Sequence, residues 1–308
     1  MTSTVTFIGL GTMGQPMAQN LAQTVPVAVY DTNSEAVAAL EQHGGITGLT
    51  DPAAALTADP AGPHTADTLI LMLPNSAIVA KVLGDVNDPA SLAARLRPGT
   101  LVIDMGSSAP QETTKLADHL HQRSVAFVDA PVSGGPRKAA TAELTIMAGG
   151  TDEDVQRAMP FLRAMGTSVI HAGPVGAAHA LKALNNLLSA IGLVGALEVL
   201  TVGARFGLDP KVMLDVINKS TGRNQATEVK IGPEVLDGRF GVGFSLALTV
   251  KDIRTALELS KSLGMSPEVA EACVKVCEAA LTDLDDTNPD QTEIARYLAK
   301  TTGVDLSQ

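Results

Sequence analysis

Near the start of the chain stands Val5-Thr6-Phe7-Ile8-Gly9-Leu10-Gly11-Thr12-Met13-Gly14, and its reading decides the fold. Val5–Ile8 is a short strand-like run, and an Ala-rich helical pattern, Met13–Gln23, begins where the glycines end. Strand, G-x-G-x-x-G, helix is the order that cradles a dinucleotide pyrophosphate. Gly9 permits the tight turn, Gly11 lets the phosphates approach the backbone, and Gly14 lets the helix pack on the strand. Leu10, Thr12 and Met13 complete the loop, whose free N–H groups open onto a helix N-terminus. The triplet alone is a weak signal, since an ordinary glycine turn reads the same way. Asp31 strengthens it: it follows the next strand, Val27–Tyr30, 17 residues beyond Gly14, where an acid hydrogen-bonds an adenosine ribose.

Outward from that turn the pattern repeats. Further strand-like runs are Thr68–Leu73, Thr100–Ile103, Val125–Val128 and Leu144–Met147, with helical patterns at Ser34–Gln42 and Gln111–Arg123. This alternation predicts an α/β, doubly wound, mostly parallel sheet of Rossmann type over residues 1–171. Loops are marked at Asp59-Pro60-Ala61-Gly62-Pro63 and Asp88-Pro89. From about Gly173 the rhythm changes and no convincing strand follows. Pro174 to Phe206 reads as one helix closed by Gly207; its 33 residues span roughly 50 Å, long enough to join two domains. Helical patterns at Pro210–Lys219, Ala226–Asp237, Ser245–Leu263, Pro267–Thr282 and Asp290–Thr301 make residues 172–308 an all-α domain.

Composition limits the partners. The 308 residues carry 22 Lys and Arg against 33 Asp and Glu, a net charge of −11, with no Trp, two Tyr and six Phe. Neither the cations nor the stacking rings that nucleic acid needs are there, and an anionic membrane surface is disfavoured likewise. The most apolar run, Ala183–Leu197, is read as too short to span a bilayer, and the N-terminus has no basic signal region. Cys273 and Cys277 read as small core residues in a reduced compartment; no His or acid cluster at ligand spacing supports a metal. Cytoplasm is the expected location. Residues 1–80 hold no Lys or Arg, and Asp31 repels a 2′-phosphate, so NAD is expected over NADP.

The long helix carries His179, Lys182, Asn186 and Ser189 at i, i+3, i+7 and i+10, one face among Ala, Leu and Ile. It reads as buried nearly all round. A partly desolvated lysine has a lowered pKa and suits proton exchange with an alcohol; a lysine snorkelling to the surface is the plainer alternative. Asn186, one turn on, is placed to orient the amine or a substrate hydroxyl. Ser133-Gly134-Gly135 follows a strand at the carboxyl edge of the sheet, where small residues expose N–H groups to a carboxylate.

Five separated motifs together resemble the β-hydroxyacid dehydrogenase family, which includes 3-hydroxyisobutyrate dehydrogenases. They are Gly9 to Met17, Met72-Leu73-Pro74, Asp129 to Gly135, Gly176 with Lys182-Ala183-Leu184-Asn185-Asn186, and Phe244 to Asp252. The resemblance implies hydride transfer between NAD and a small β-hydroxy acid in a cleft between the domains. It makes Lys182 the general acid and base, with Asn186 and Ser133 beside it. Ser133, Gly134 and Gly135 hold the substrate with Lys182 and Asn186. Leu73 and Pro74 lie against the cofactor, and Lys251 approaches the nicotinamide. Without the resemblance, Lys251-Asp252 reads as a surface ion pair.

The chain departs from the family's pattern in places. Gly106 and Ser107 stand where the family has Ser-Thr, and Ser107 keeps a hydroxyl for the nicotinamide ribose. Ile78, Lys138 and Ala142 replace an Asn and two glycines, which leaves the substrate open. Arg223 either reads the distal part of the substrate or sits in a solvated loop. An imine reductase is the nearest alternative, but such enzymes generally lack the lysine. A decarboxylating phosphosugar dehydrogenase would need a cation cluster that is not seen, and a non-catalytic NAD-sensing module would not keep Lys182, Asn186 and Ser133 together. Apolar helices in the second domain predict a homodimer or homotetramer.

Overall fold

The structure is a computed structural model that describes residues 4–55 and 66–308; the predicted loop Asp59–Pro63 lies outside them. The chain divides into two compact units, 1–182 and 183–308.

The first unit is a sheet with helices on both faces. Its strands are β1 (Thr4–Ile8), β2 (Val27–Tyr30), β3 (Ile46–Gly48), β4 (Ala66–Leu71), β5 (Leu101–Asp104), β6 (Ala126–Asp129), β7 (Val132–Ser133), β8 (Leu144–Gly149) and β9 (Gly166–Gly173). The order β3-β2-β1-β4-β5-β6 is parallel throughout, and β8 then runs antiparallel beside β6. β7 pairs antiparallel and β9 parallel with β8. The helices are α1 (Gly14–Ala22), α2 (Ser34–Glu41), α3 (Ser76–Leu83), α4 (Leu92–Arg95), α5 (Pro110–His121), α6 (Gly135–Ala140) and α7 (Asp152–Met165). Strand order reverses between β1 and β4, and the glycine loop sits at the carboxyl end of β1, at that switch point.

Side chains alternate across the sheet with period two, as pleating requires. Phe7, Ile70, Ile103 and Val128 join one apolar cluster, while Ile8, Leu71, Val102 and Phe127 join the other. The central strands of the sheet are thus apolar on both sides, and for that reason the apolar sequence runs read as strands. β3, β7 and β9 escaped the reading. Two are short, and β9 leaves most of its residues exposed or half-buried, so none carries a strong apolar run.

α8 (Ala177–Phe206) is continuous over 30 residues and ends at Gly207, whose φ of +101° breaks it. It begins after Pro174 because Gly176, at φ +89°, is not helical. The second unit continues with α9 (Pro210–Asn218), α10 (Gln225–Val229), α11 (Leu246–Ser262), α12 (Glu268–Asp283) and α13 (Ile294–Thr302). No β-strand is found among its described residues. The single helix predicted over Ala226–Asp237 is instead α10 followed by a π-helical turn, Ile231–Leu236, because Pro233 has no N–H to continue the α ladder. Cys273 and Cys277 are free thiols in the core of this unit, and no metal-binding cluster occurs among the described residues.

α8 departs from expectation. Ala183, Leu187, Ala190, Leu193, Val194, Leu197 and Leu200 are buried in the core, but Leu181, Leu184, Leu188, Val199, Val202 and Phe206 are exposed. The helix therefore carries two apolar faces, one buried and one exposed, beside its polar row. Length and composition alone would let it cross a bilayer, with a mean hydropathy of 2.0 over its most apolar window, contrary to the shorter run read in the sequence. Its covered face belongs to a folded core.

Candidate active site

The glycine loop is built by exclusion of side chains. A Cβ on Gly9, at φ +102°, would lie 2.3 Å from the Met72 carbonyl oxygen. One on Gly14 would lie 1.9 Å from the Gly9 carbonyl, so α1 can pack on β1 only through a glycine there. A Cβ on Gly11 would meet nothing within 4 Å. That open side is where a pyrophosphate can meet the backbone. The N-cap position of α1, Met13, offers no side-chain acceptor; Gln15 N–H already donates to the Gly11 carbonyl at 3.1 Å and Pro16 has none, so an anion would meet the N–H groups at the end of the loop and at Gly14. Leu10 and Thr12 complete the loop. Asp31 accepts the Leu10 N–H at 2.6 Å through Oδ2 and the Asn33 N–H at 2.8 Å through Oδ1, which ties the loop to the end of β2. A dinucleotide fits these residues: open backbone, a helix N-terminus, and a carboxylate at the next strand end.

Two further loops of the first unit lie at the same strand ends. After β4 the chain runs through Leu73-Pro74, and Gly106, after β5, passes so close that a Cβ would lie 2.3 Å from the Leu73 carbonyl. The backbone here leaves room only for glycine at 106. Ser107 is half-buried beside it. Ser133 ends β7, and Gly134 and Gly135 adopt φ of +135° and +69° as α6 begins. Both glycines take left-handed backbone, which turns the chain sharply after the serine.

Under these loops lies a buried polar network unforeseen in the sequence. Asp129 is fully buried and accepts the N–H groups of Gly176 and His179, each at 2.8 Å, which anchors the start of α8. His179 pairs with Thr113 Oγ1 at 2.8 Å through Nδ1, and its Nε2 stands 3.9 Å from Asp104 Oδ2. Asp104 in turn accepts the Gly106 N–H and the Ser108 hydroxyl. His179, expected on the polar face with Lys182, is instead 1% exposed and joins α8 to α5 through Thr113. Lys182 follows three residues later, half-buried.

In the second unit, Asn186 donates from Nδ2 to Asp252 Oδ2 at 2.5 Å, and Lys251 Nζ lies 2.9 Å from Asp252 Oδ1. Asp252 is 3% exposed, so this pair is not on the surface. Asn185 donates to Asn186 Oδ1 at 3.2 Å. The other residue the sequence did not flag is Lys230, 6% exposed, whose ammonium donates to Ser189 Oγ and Gln291 Oε1, both at 3.3 Å. Burial pushes its pKa below the ordinary lysine range, opposed by the charge of Asp290. A lysine between Val229 and Ile231 carries no local mark of this. Arg223 stands in solvent and pairs with Glu228 at 3.5 Å.

Residues 4–173 match the NAD binding domain of 6-phosphogluconate dehydrogenase, and residues 176–298 match the NAD-binding domain of NADP-dependent 3-hydroxyisobutyrate dehydrogenase. The 2-(hydroxymethyl)glutarate dehydrogenase of Eubacterium barkeri is 32% identical over 98% of this chain and 96% of that protein. The NAD-dependent L-serine dehydrogenase of Pseudomonas aeruginosa is 36% identical over 85% of this chain and 87% of that protein. Among solved structures, the 3-hydroxyisobutyrate dehydrogenase of Mycobacterium tuberculosis with L-serine superposes with a TM-score of 0.85 at 28% identity, covering 97% of this chain and 99% of that one.

Fold and site thus define an oxidoreductase with a nicotinamide dinucleotide cofactor. The chain belongs to the β-hydroxyacid dehydrogenase family.

Proposed function

We propose that the protein oxidises a small β-hydroxy acid with NAD, reversibly, using Lys182 as general base and acid. The observation that carries this is Lys182 and Asn186 one turn apart on α8, with Asn186 held by Asp252. A nicotinamide dinucleotide, which the Gly9–Gly14 loop and Asp31 would hold, would supply the hydride chemistry. Lys182 Nζ removes the hydroxyl proton on oxidation and gives it back on reduction. Asn186 fixes the direction in which that amine and the substrate oxygen meet. Ser133, Gly134 and Gly135 hold the substrate carboxylate with one hydroxyl and backbone N–H groups. Lys251, steadied by Asp252, would act on the nicotinamide, and Leu73, Pro74 and Ser107 would bear on the cofactor.

NAD is preferred over NADP in this reading. Support comes from Asp31 at the ribose position and from the lack of any Lys or Arg in residues 1–80, which leaves nothing to neutralise a 2′-phosphate. Oligomerisation is part of the reading as well. The exposed face of α8 places Leu181, Leu184, Leu188, Val199, Val202 and Phe206 in one stripe, with Leu188 70% and Phe206 84% exposed. A second copy of the chain, apolar in the same places, would cover it. The enzyme would work in the cytoplasm, apart from membranes and nucleic acid.

The reading is tested by following reduced nicotinamide absorbance with a panel of small hydroxy acids and either cofactor. NAD-dependent oxidation of at least one is expected. Failure with all of them, or equal or better turnover with NADP, would overturn the corresponding part.

A further inference from the structure

We infer that Asp129 is a positioning residue for the reaction: its carboxylate clamps the first turn of α8 to the strand that leads into Ser133, and so sets where Lys182 stands against the substrate-holding turn. The inference rests on Lys182 as general acid and base, proposed above. Asp129, Ser133, Gly176, His179 and Lys182 all belong to the first unit.

A helix leaves its first N–H groups without partners inside the helix, and a side chain at its start ordinarily meets them. Val175 and Gly176 stand before Ala177, the first residue of α8, and neither has a side-chain acceptor. Asp129, 47 residues before Gly176, supplies the cap in their place. Its Oδ1 accepts the Gly176 N–H and its Oδ2 the His179 N–H, both at 2.8 Å. With both oxygens used, the carboxylate holds α8 in depth and in rotation. Space is kept for it: Asp129 is 0% exposed, and a Cβ on Gly149, its partner across β6 and β8, would lie 2.4 Å from Oδ1. Gly176 is confined as well, by its φ of +89° and by Thr114 Oγ1, which a Cβ there would meet at 2.8 Å.

Stability alone does not call for this arrangement. An uncharged serine or asparagine at the helix start is an ordinary cap, whereas a carboxylate withdrawn from water gives back much of what its bonds gain. A cap from a distant strand does what a local one cannot: it fixes the helix against another element. Asp129 ends β6 four residues before Ser133, and both are paired to β8, Asp129 with Gly149 and Ser133 with Thr145. The turn Ser133-Gly134-Gly135 and the start of α8 are thereby referred to one strand. Lys182 is three residues past His179, about 4.5 Å along the axis. The backbone between them is helical throughout, so a shift at the clamp is carried to the lysine. Misplacement of a reacting group by about 1 Å costs on the order of 100-fold in rate.

Two variants displace the clamp without altering any residue assigned to substrate or cofactor. Asp129→Asn turns an NH2 group toward one of the two N–H donors, and Gly149→Ala sets a methyl against Oδ1. The probe is whichever of 3-hydroxyisobutyrate, L-serine and 2-(hydroxymethyl)glutarate wild type oxidises fastest with NAD. In each variant kcat per folded, NAD-titrated site should fall about 10- to 100-fold, while KM for the probe and the affinity for NAD stay within about threefold. A merely structural role would leave kcat per folded site unchanged. In a Lys182→Ala background Asp129→Asn should cost no further turnover, because its effect runs through that amine. An equal loss in both backgrounds, an unchanged kcat per folded site, or a loss lying wholly in KM would overturn the inference alone. Hydrogen exchange on wild type should find the Gly176 and His179 amides as slow as those of β6; fast exchange at either would overturn the clamp even if neither variant folds. Near-normal turnover of Lys182→Ala, or no oxidation of any hydroxy acid by wild type, would overturn the reading beneath, and the role of Asp129 with it.

Discussion

Asn186 Nδ2 donates to the buried carboxylate of Asp252 at 2.5 Å, across 66 residues of sequence. The same carboxylate holds the Lys251 ammonium at 2.9 Å. One acid thus orients an amide on α8 and a cation on α11. Asp252→Asn keeps an acceptor for Asn186 but removes the charge that steadies Lys251. Turnover should fall at least about tenfold with little change in melting temperature, while Asp252→Ala should also cost about 1–3 kcal/mol of stability by leaving the buried amide donor unmet. Steady-state kinetics and thermal melts of the two variants decide this.

Lys182→Ala should reduce turnover about 100- to 10,000-fold, the usual contribution of a positioned proton-transfer group. Binding of NAD, followed by fluorescence titration, should persist because the glycine loop is untouched. Near-normal turnover would rule out the proton role.

Gly11 and Gly14 should separate binding from folding. A methyl at Gly14 meets the Gly9 carbonyl at 1.9 Å, so Gly14→Ala should lose about 1–3 kcal/mol or more in denaturant melts. Gly11→Ala meets nothing within 4 Å and should melt like wild type. Its affinity for NAD should nonetheless fall by about tenfold or more, because the added methyl stands where the pyrophosphate approaches.

Replacing Leu188 and Val202 together by Asp should convert the assembly to monomers in sedimentation or light scattering. Each side chain is 70% exposed in the single chain, so a solitary monomer would lose almost nothing from the change. A wild-type chain that sediments as a monomer would refute the predicted covering of this stripe.

Burial lowers the pKa of Lys230 in the folded chain, so between that value and the ordinary lysine range the unfolded chain binds more protons. Stability therefore rises with pH through that window, and the cost of the buried charge is felt in full below it. Relative to Lys230→Met, wild type should gain stability between neutral pH and about pH 10. Denaturant melts of both proteins at the two pH values measure the difference, and a flat difference would contradict it.

Local chemistry made part of this protein legible without coordinates. The glycine triplet, Asp31, the alternation of strands and helices, and the stop at Gly207 each depend on residues adjacent in sequence, where steric rules act within one turn. So do Lys182 and Asn186, which any helix would place on one face. Tertiary packing alone decided the rest. It buried Asp252 instead of leaving it in a surface ion pair, and it drew His179 between Asp104 and Asp129. It seated Lys230 on Ser189 and Gln291, and it left half of α8 uncovered. Those outcomes turn on desolvation and on partners tens of residues away, and a single sequence carries no local mark of either.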